Sequence, residues 1–491
     1  MVYFPVADYR PDVAVVNGSF TDTLVNVLPA DGGYIPMASA MVVSKVPLEE
    51  KPLGCIAFRS GNGVKIIVGG KQKLYSYDSQ TQDWKDISKS GVTYHANEEN
   101  KWSFAFCKDK NFKDIIIAVN KNDKPQVLKV LSSERFEDLG GNPPKAGLVK
   151  VWGPFVCLMQ LTDNPNRIHW SGLNDANFWE IGQKKCDHID FPDGEYVQGA
   201  TESTNPLVFL RSAIYAGLFI PGAELAYSFQ KIQDKRGVRS TGSIACRGSD
   251  AFFASDGGFY QISSDGQLLP IGFEKVDRTV FKTFDKFALD EMQGVIDPVD
   301  NRIYWSLKRG NNEQTTFVYD WGLQKWSTIQ GEPFTLFPVF TTGYTLDQLD
   351  EISINLESLP ASLDSPRWQS GAPMLGGFND QNHLVMFAGA PMEATVVSQE
   401  MGAPDGSFSF ITKMFAEVDT MQGLLSIGER RLRNHDTPIT WHKERVCSYV
   451  TGAYHGRSRN RYHRFKLRIP EHESWKMITG FNVDLRPLGR G

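Results

Sequence analysis

A tyrosine-aspartate pair followed after five residues by tryptophan occurs twice in this chain. It appears as Tyr77, Asp78 and Trp84 in LYSYDSQTQDWKDI and as Tyr319, Asp320 and Trp326 in FVYDWGLQKWSTI. A second phrase also recurs, NRIHWS at 166–171 and NRIYWS at 301–306. Each sits in strand-like residues beside turn formers, which is the pattern of a β-hairpin. The copies of the first phrase are 242 residues apart and those of the second 135. Both separations are read as multiples of a unit of about 40 to 48 residues, the length of a four-stranded propeller blade.

Other stretches follow the same grammar of alternating strands and turns. They are VKIIVGGKQKLYSYD, FKDIIIAVNKNDKPQVLKVL, KAGLVKVWGPFVCLMQLTD, NPLVFLRSAIYAGLFIPGAELAYSF and GSDAFFASDGGFYQISSDGQLLPIG. The 44 glycines and 26 prolines among 491 residues also favour many short strands joined by tight turns over long helices. One blade cannot bury both faces of its sheet, so blades stack radially until the ring closes. The expected fold is all-β, a propeller of six to eight blades. In it Trp170, Trp305, Tyr77, Trp84, Tyr319 and Trp326 form the repeated blade core, each Trp plugging the space between sheets. The competing architecture is a β-sandwich or a pair of β domains.

Around the blades the organisation is read as an extended N-terminal arm at 1–50, a propeller at 51–404 and a basic C-terminal β segment at 405–491. An acidic, proline-broken loop is inserted near 345–375. The start, MVYFPVADYRPD, has neither the cationic nor the apolar region of a secretion signal, so synthesis and retention in the cytoplasm are expected. The apolar stretch 206–227 carries Arg211, Pro221 and Glu224, and reads as two buried strands and not as a membrane span. The six cysteines are scattered singly and read as reduced thiols. Cys186, Asp187, His188 and Asp190 are a local cluster, but adjacent strand residues point to opposite faces and cannot all reach one ion. No metal or cofactor is expected.

The charge is unevenly spread. From Glu429 to Arg468 there are eleven Lys or Arg against three Asp or Glu, a local +8, which leaves −13 for the rest of a chain of net charge −5. Within this stretch RYHRFKLRI alternates: His463, Phe465, Leu467 and Ile469 share one strand face, and Arg464, Lys466 and Arg468 the other. With Arg457, Arg459 and Arg461 these cations make a candidate partner interface or channel surface. They could meet phosphates, an acidic partner subunit, or only water.

Three stretches resemble the tail nozzle or tail hub proteins of short-tailed bacteriophages. These are NVLPADGGYIPM near the start, the blade phrases NRIHWSGLNDANFW and NRIYWS with VYDWGLQKW, and the ending GRSRNRYHRFKLRIPEHESWKMITGFNVDLRPLGRG. The resemblance implies a structural virion protein with no catalytic motif. It would form a homohexameric ring at the distal end of the tail, docked to an adaptor or portal ring and met by needle, plug or fibre proteins. Viral DNA would pass through its channel without sequence recognition. A ring of one repeated subunit needs two complementary surfaces, and the +8 segment against the −13 remainder could supply them. Net acidity also suits a conduit that must not grip phosphate.

Two other classes compete. A propeller glycoside hydrolase would need paired carboxylates such as Asp163, Asp175 or Asp297, although Asp in a turn ordinarily bonds the backbone. A receptor- or carbohydrate-binding propeller would need exposed aromatics, with Trp170, Trp179 and Trp368 as candidates for sugar stacking.

Overall fold

The computed structural model describes residues 1–13, 20–61, 63–192, 195–309, 313–342, 370–402, 406–432 and 437–489. The strands are short and alternate in where they bury their side chains, with breaks such as the left-handed Gln160 in blade 3. Ile66 and Val68 enter one apolar layer while Ile67 enters another. Ile115, Ile117 and Val119 part in the same way from Ile116 and Ala118, and Val156 and Leu158 from Cys157 and Met159. A sheet apolar on both faces must be covered twice. Here each sheet is covered by its neighbour on either side.

Seven four-stranded antiparallel sheets result. Blade 1 is Cys55–Ser60, Gly63–Gly69, Leu74–Asp78 and Asp83–Asp86. Blades 2 to 6 follow in chain order, beginning at Ser103–Lys108, Ala146–Trp152, Val197–Ala200, Ala245–Arg247 and Gln293–Ile296. Blade 7 takes three strands from Thr335–Thr342, Ser370–Phe378 and Leu384–Pro391, and its fourth from the N-terminal region, Ala38–Val42. Seven apolar layers separate consecutive blades. The last layer packs Phe337, Val339 and Phe378 of blade 7 on Ile66, Val68 and Tyr77 of blade 1, so the ring is closed. The protein is a seven-bladed β-propeller.

The two repeated phrases fare differently. Tyr77 and Tyr319 both lie on the third strand of a blade, opposite Trp84 and Trp326 on the fourth. Both tyrosines face the preceding blade. Both loops carry a left-handed glutamine, Gln82 (φ 55°) and Gln324 (φ 57°), and in both the aspartate accepts from loop amides. These copies are equivalent. The NRI-x-WS copies are not, which corrects the reading of their 135-residue separation. Trp170 lies on the third strand of blade 3 and faces blade 4, while Trp305 lies on the second strand of blade 6 and faces blade 5. Each fills an inter-blade layer and donates its indole N–H to a carbonyl, of Lys185 and of Ser243. A short aromatic strand phrase meets those needs on either face.

Both chain ends build a second unit, a β-sandwich. One sheet runs Tyr454–Asn460, Phe408–Val418, Ile478–Gly489, with Val2–Pro5 and the hairpin Val27–Ala30 and Gly33–Pro36 beside the last strand. The other joins Leu24–Val25, Ala394–Val397, Tyr462–Ile469 and Leu424–Arg430. It continues into blade 6 through a parallel bridge, Thr328 to Val25. Ile411, Met414, Leu425, Ile427, Phe465, Leu467 and Phe481 fill the core between the sheets.

The units therefore divide the chain at other places than 50 and 404. Residues 38–42 belong to the ring and 394–402 to the sandwich, because the strands they pair with lie there. Most of the insertion near 345–375 lies outside the described residues, but 370–375 are part of a blade 7 strand. The stretch 206–227 supplies strands of blade 4, and no helix among the described residues is long and apolar enough to cross a membrane.

Candidate interaction surface

The basic C-terminal stretch forms two strands with different fates. Tyr462–Ile469 is flanked on both sides by strands, and its apolar residues Phe465, Leu467 and Ile469 are fully buried. His463 is buried too. It lies 3.1 Å from Ser458 Oγ and 3.0 Å from Ser409 Oγ, and burial pushes its imidazole below the usual range, so it is a neutral, satisfied core residue.

The opposite face of this strand, Arg464, Lys466 and Arg468, is spent inside the chain. Arg464 is 4 % exposed and grips Asp22 of the N-terminal arm with two contacts, 2.8 and 3.1 Å, and also reaches the Ser398 carbonyl at 3.0 Å. Burial alone would raise the Asp22 carboxyl, but the bonds from Arg464 outweigh it and hold that group below the ordinary carboxylate range. Arg468 binds Glu444 at 2.6 and 2.9 Å and Glu393 at 2.9 Å, and Lys466 lies 4.5 Å from the centre of the Trp441 ring. Arg430 pairs in the same way with buried Glu400. This corrects the reading of these cations as a free surface. The carboxylates come from the same chain, Glu444 from within the basic stretch, Glu393 and Glu400 from just before the C-terminal segment and Asp22 from the arm, so the Arg464–Asp22 pair ties the C-terminal strands to the arm.

Among the described residues the other strand, Tyr454–Asn460, pairs with Phe408–Val418 alone and forms the edge of its sheet. Tyr454, Gly456 and Ser458 point inward; His455, Arg457 and Arg459 point outward and are exposed. At its end three guanidiniums gather round the half-buried Phe408: Arg461 at 5.2 Å from the ring centre, and Arg459 and Arg431 at 6.0 Å each. Among the described residues no carboxylate pairs with Arg431, Arg457, Arg459 or Arg461. Phe408 and Arg431 escape a sequence reading, because their only signal is spatial.

The remaining candidates sit inside the fold. Trp170 and Trp179 are 2 % and 5 % exposed, which leaves neither ring free to stack on a sugar, and Trp368 lies outside the described residues. Asp175 accepts from the Asn177 amide at 3.3 Å and Asp297 from the Val299 amide at 2.9 Å, so both carboxylates are occupied in their turns. Cys186 faces His169 at 3.5 Å while Asp190 turns to Arg167 at 2.6 and 2.7 Å. Burial pushes that thiol up to about 12 and that imidazole down to about 4, so both stay uncharged near neutrality. Among the described residues no three His, Cys, Asp or Glu are placed to share a metal ion. A cavity of about 310 Å³ lies between blades 6 and 7, with Tyr304, Phe334, Phe387 and Met392 among its lining.

Fold and surface together define a seven-bladed propeller carrying a sandwich made from both chain ends, with one unpaired cationic edge. No family model matches the chain, and no curated protein matches it. Among solved structures it is similar to that of BBS1N in complex with ARL6DN, from a mercury-soaked crystal. The identity is 10 %, the TM-score 0.30, and the match covers 79 % of this chain and 97 % of that one.

Proposed function

We propose that this protein is a structural component of a bacteriophage tail, a nozzle or hub subunit that assembles into a closed ring and docks to an adaptor or portal ring. The reading is supported most by where two of the three family-like stretches lie. NVLPADGGYIPM forms the hairpin Val27–Ala30 and Gly33–Pro36, which meets the C-terminal strand Ile478–Gly489 at the Tyr34–Ile478 bridge. A Cβ at Gly33 would stand 2.3 Å from the Ile478 carbonyl oxygen, so the contact needs glycine. Stretches more than 400 residues apart thus join in one sheet, with Tyr34 and Ile478 buried at the seam.

In this reading the genome runs between copies and not through the propeller hub. Seven sheets packed about 10 Å apart enclose a hub of roughly 20 Å between facing backbones, about the width of a bare duplex before side chains are counted. Sedimentation and negative-stain electron microscopy of the purified chain test the proposal. Closed rings of one subunit are expected; a chain that stays monomeric and is missing from the tails of virions overturns it.

A further inference from the structure

We propose that the edge strand Tyr454–Asn460 and the guanidinium cluster on Phe408 form a docking surface for the phosphate backbone of duplex DNA. The inference deepens the tail reading, which supplies the duplex, but the surface itself is present on a single copy.

Three observations carry it. Arg431, Arg459 and Arg461 converge within 6.0 Å of one ring centre, and none of them is neutralised by a carboxylate among the described residues. Elsewhere in the sandwich Arg430, Arg464, Arg468 and Arg486 are each matched to an acid, while Arg445, beside Gly456 of the same edge strand, has no carboxylate partner among the described residues. Each guanidinium lies over the Phe408 ring without a carboxylate among the described residues, so the positive charge gathered here is open to an anion from outside. Secondly, Arg461 Nε has no hydrogen-bond acceptor, an unmet donor on the arginine nearest the Phe408 ring. Thirdly, His455, Arg457 and Arg459 stand in a row on the exposed face, each about 6.7 Å from the next along the strand. A line of donors ending in a cluster fits a line of phosphates, and arginine forks suit phosphate oxygens.

The net charge of −5 does not forbid this, because repulsion from distant carboxylates is screened beyond about 10 Å at 0.1 M salt. The contact is to backbone, with no base read. It lets a strand be held loosely and released as salt rises.

The test is fluorescence anisotropy of a mixed-sequence duplex on the purified full chain, titrated from 25 to 200 mM NaCl. The double variant Arg459→Ser, Arg461→Ser and the conservative Arg459→Lys, Arg461→Lys are run beside it. With about 0.9 of slope per phosphate contacted, the native chain should give a log affinity against log salt slope of about −3 to −4. The serine variant should lose about two units of slope at unchanged melting temperature, and the lysine variant should keep it. A serine variant with the native slope, or a folded native chain that binds no duplex at 25 mM NaCl, overturns the inference. So does poly-glutamate binding in preference to the duplex, which would make the surface one for an acidic protein. Sedimentation on the same samples reads ring assembly independently: rings without DNA binding sink this inference alone, and a DNA-binding monomer sinks the nozzle reading alone.

Discussion

The ring and the sandwich are both all-β, yet they are held together by contacts of different range in the sequence. The layers of the ring are apolar and lie between consecutive blades, and all but the two beside blade 7, which take in residues of the N-terminal region, are built from strands close in sequence. The sandwich joins residues hundreds of positions apart, such as Val2 with Val483 and Leu24 with Val396, and adds ion pairs across its seams. Local apolar layers close little loop per contact and so cost little chain entropy. Long-range strands need contacts that reject wrong partners, and buried or half-buried charge does that through the cost of leaving it unpaired. Ion pairs also occur in the ring, as Lys150 with Glu202 and Arg211 with Asp256, but they join strands close in sequence, so the two units differ in the range of their contacts and not in their kind.

The largest expected effect tests whether the two are energetically separate. Trp170→Ala opens a void in the layer between blades 3 and 4, where the indole packs on Tyr227 at 5.6 Å, and should cost about 3–5 kcal/mol. Hydrogen exchange should then quicken in residues 146–234 and stay slow in 454–489. Equal quickening in both would make ring and sandwich a single cooperative unit.

Next in size is Arg464→Met, which leaves Asp22 without its partner. Since Asp22 is itself 41 % exposed, the cost should be about 2 kcal/mol, below that of a fully buried pair. The double variant with Asp22→Asn should recover more than half of it. If the double variant is no better than the single one in denaturant midpoint, charge is not what seats the arm.

The smallest effect concerns the seam where the arm meets the helix Asp277–Thr283 after blade 5. Asp12 caps that helix, accepting from the Arg278 and Thr279 amides at 2.7 Å each. Burial, with Asp12 close by, pushes the Asp277 carboxyl up to about 7. Its folded value is raised, so the native state keeps a proton that the unfolded chain releases. The resulting stability is full below about pH 4 and lost as pH rises towards 7. After discounting for partial exposure this amounts to about 1–2 kcal/mol. Melting temperatures of Asp277→Asn between pH 5 and 8 should be correspondingly flatter than those of the native chain; parallel curves would remove Asp277 from the account.

What could be read in the sequence follows the same divide. The alternation of Ile66, Ile67 and Val68, or of Phe252, Phe253 and Ala254, is local and announces two-sided sheets directly. The Tyr77–Trp84 and Tyr319–Trp326 hairpins are local too, and their spacing is kept because the loop between them has one length. The NRI-x-WS repeat misleads because burial of a Trp constrains neither strand nor face. The strand Ala38–Val42 looks like part of an arm because its partner begins at Leu384. Arg464 and Arg468 look like a surface because nothing in the letters around them names Asp22, Glu393 or Glu444. Alternation predicts where a side chain points, and only the fold decides what waits there.

The strand that completes blade 7 also has a history in time. Ala38–Val42 leaves the ribosome early, and its partner Leu384–Pro391 is made only after six whole blades, a delay on the order of tens of seconds at ordinary translation rates. Through that interval the nascent ring carries an open edge at each end, one short and partly apolar, the other still growing. The edge that waits longest for its partner is thus the one the chain makes first, and until residue 391 is out it has nothing of its own to pair with.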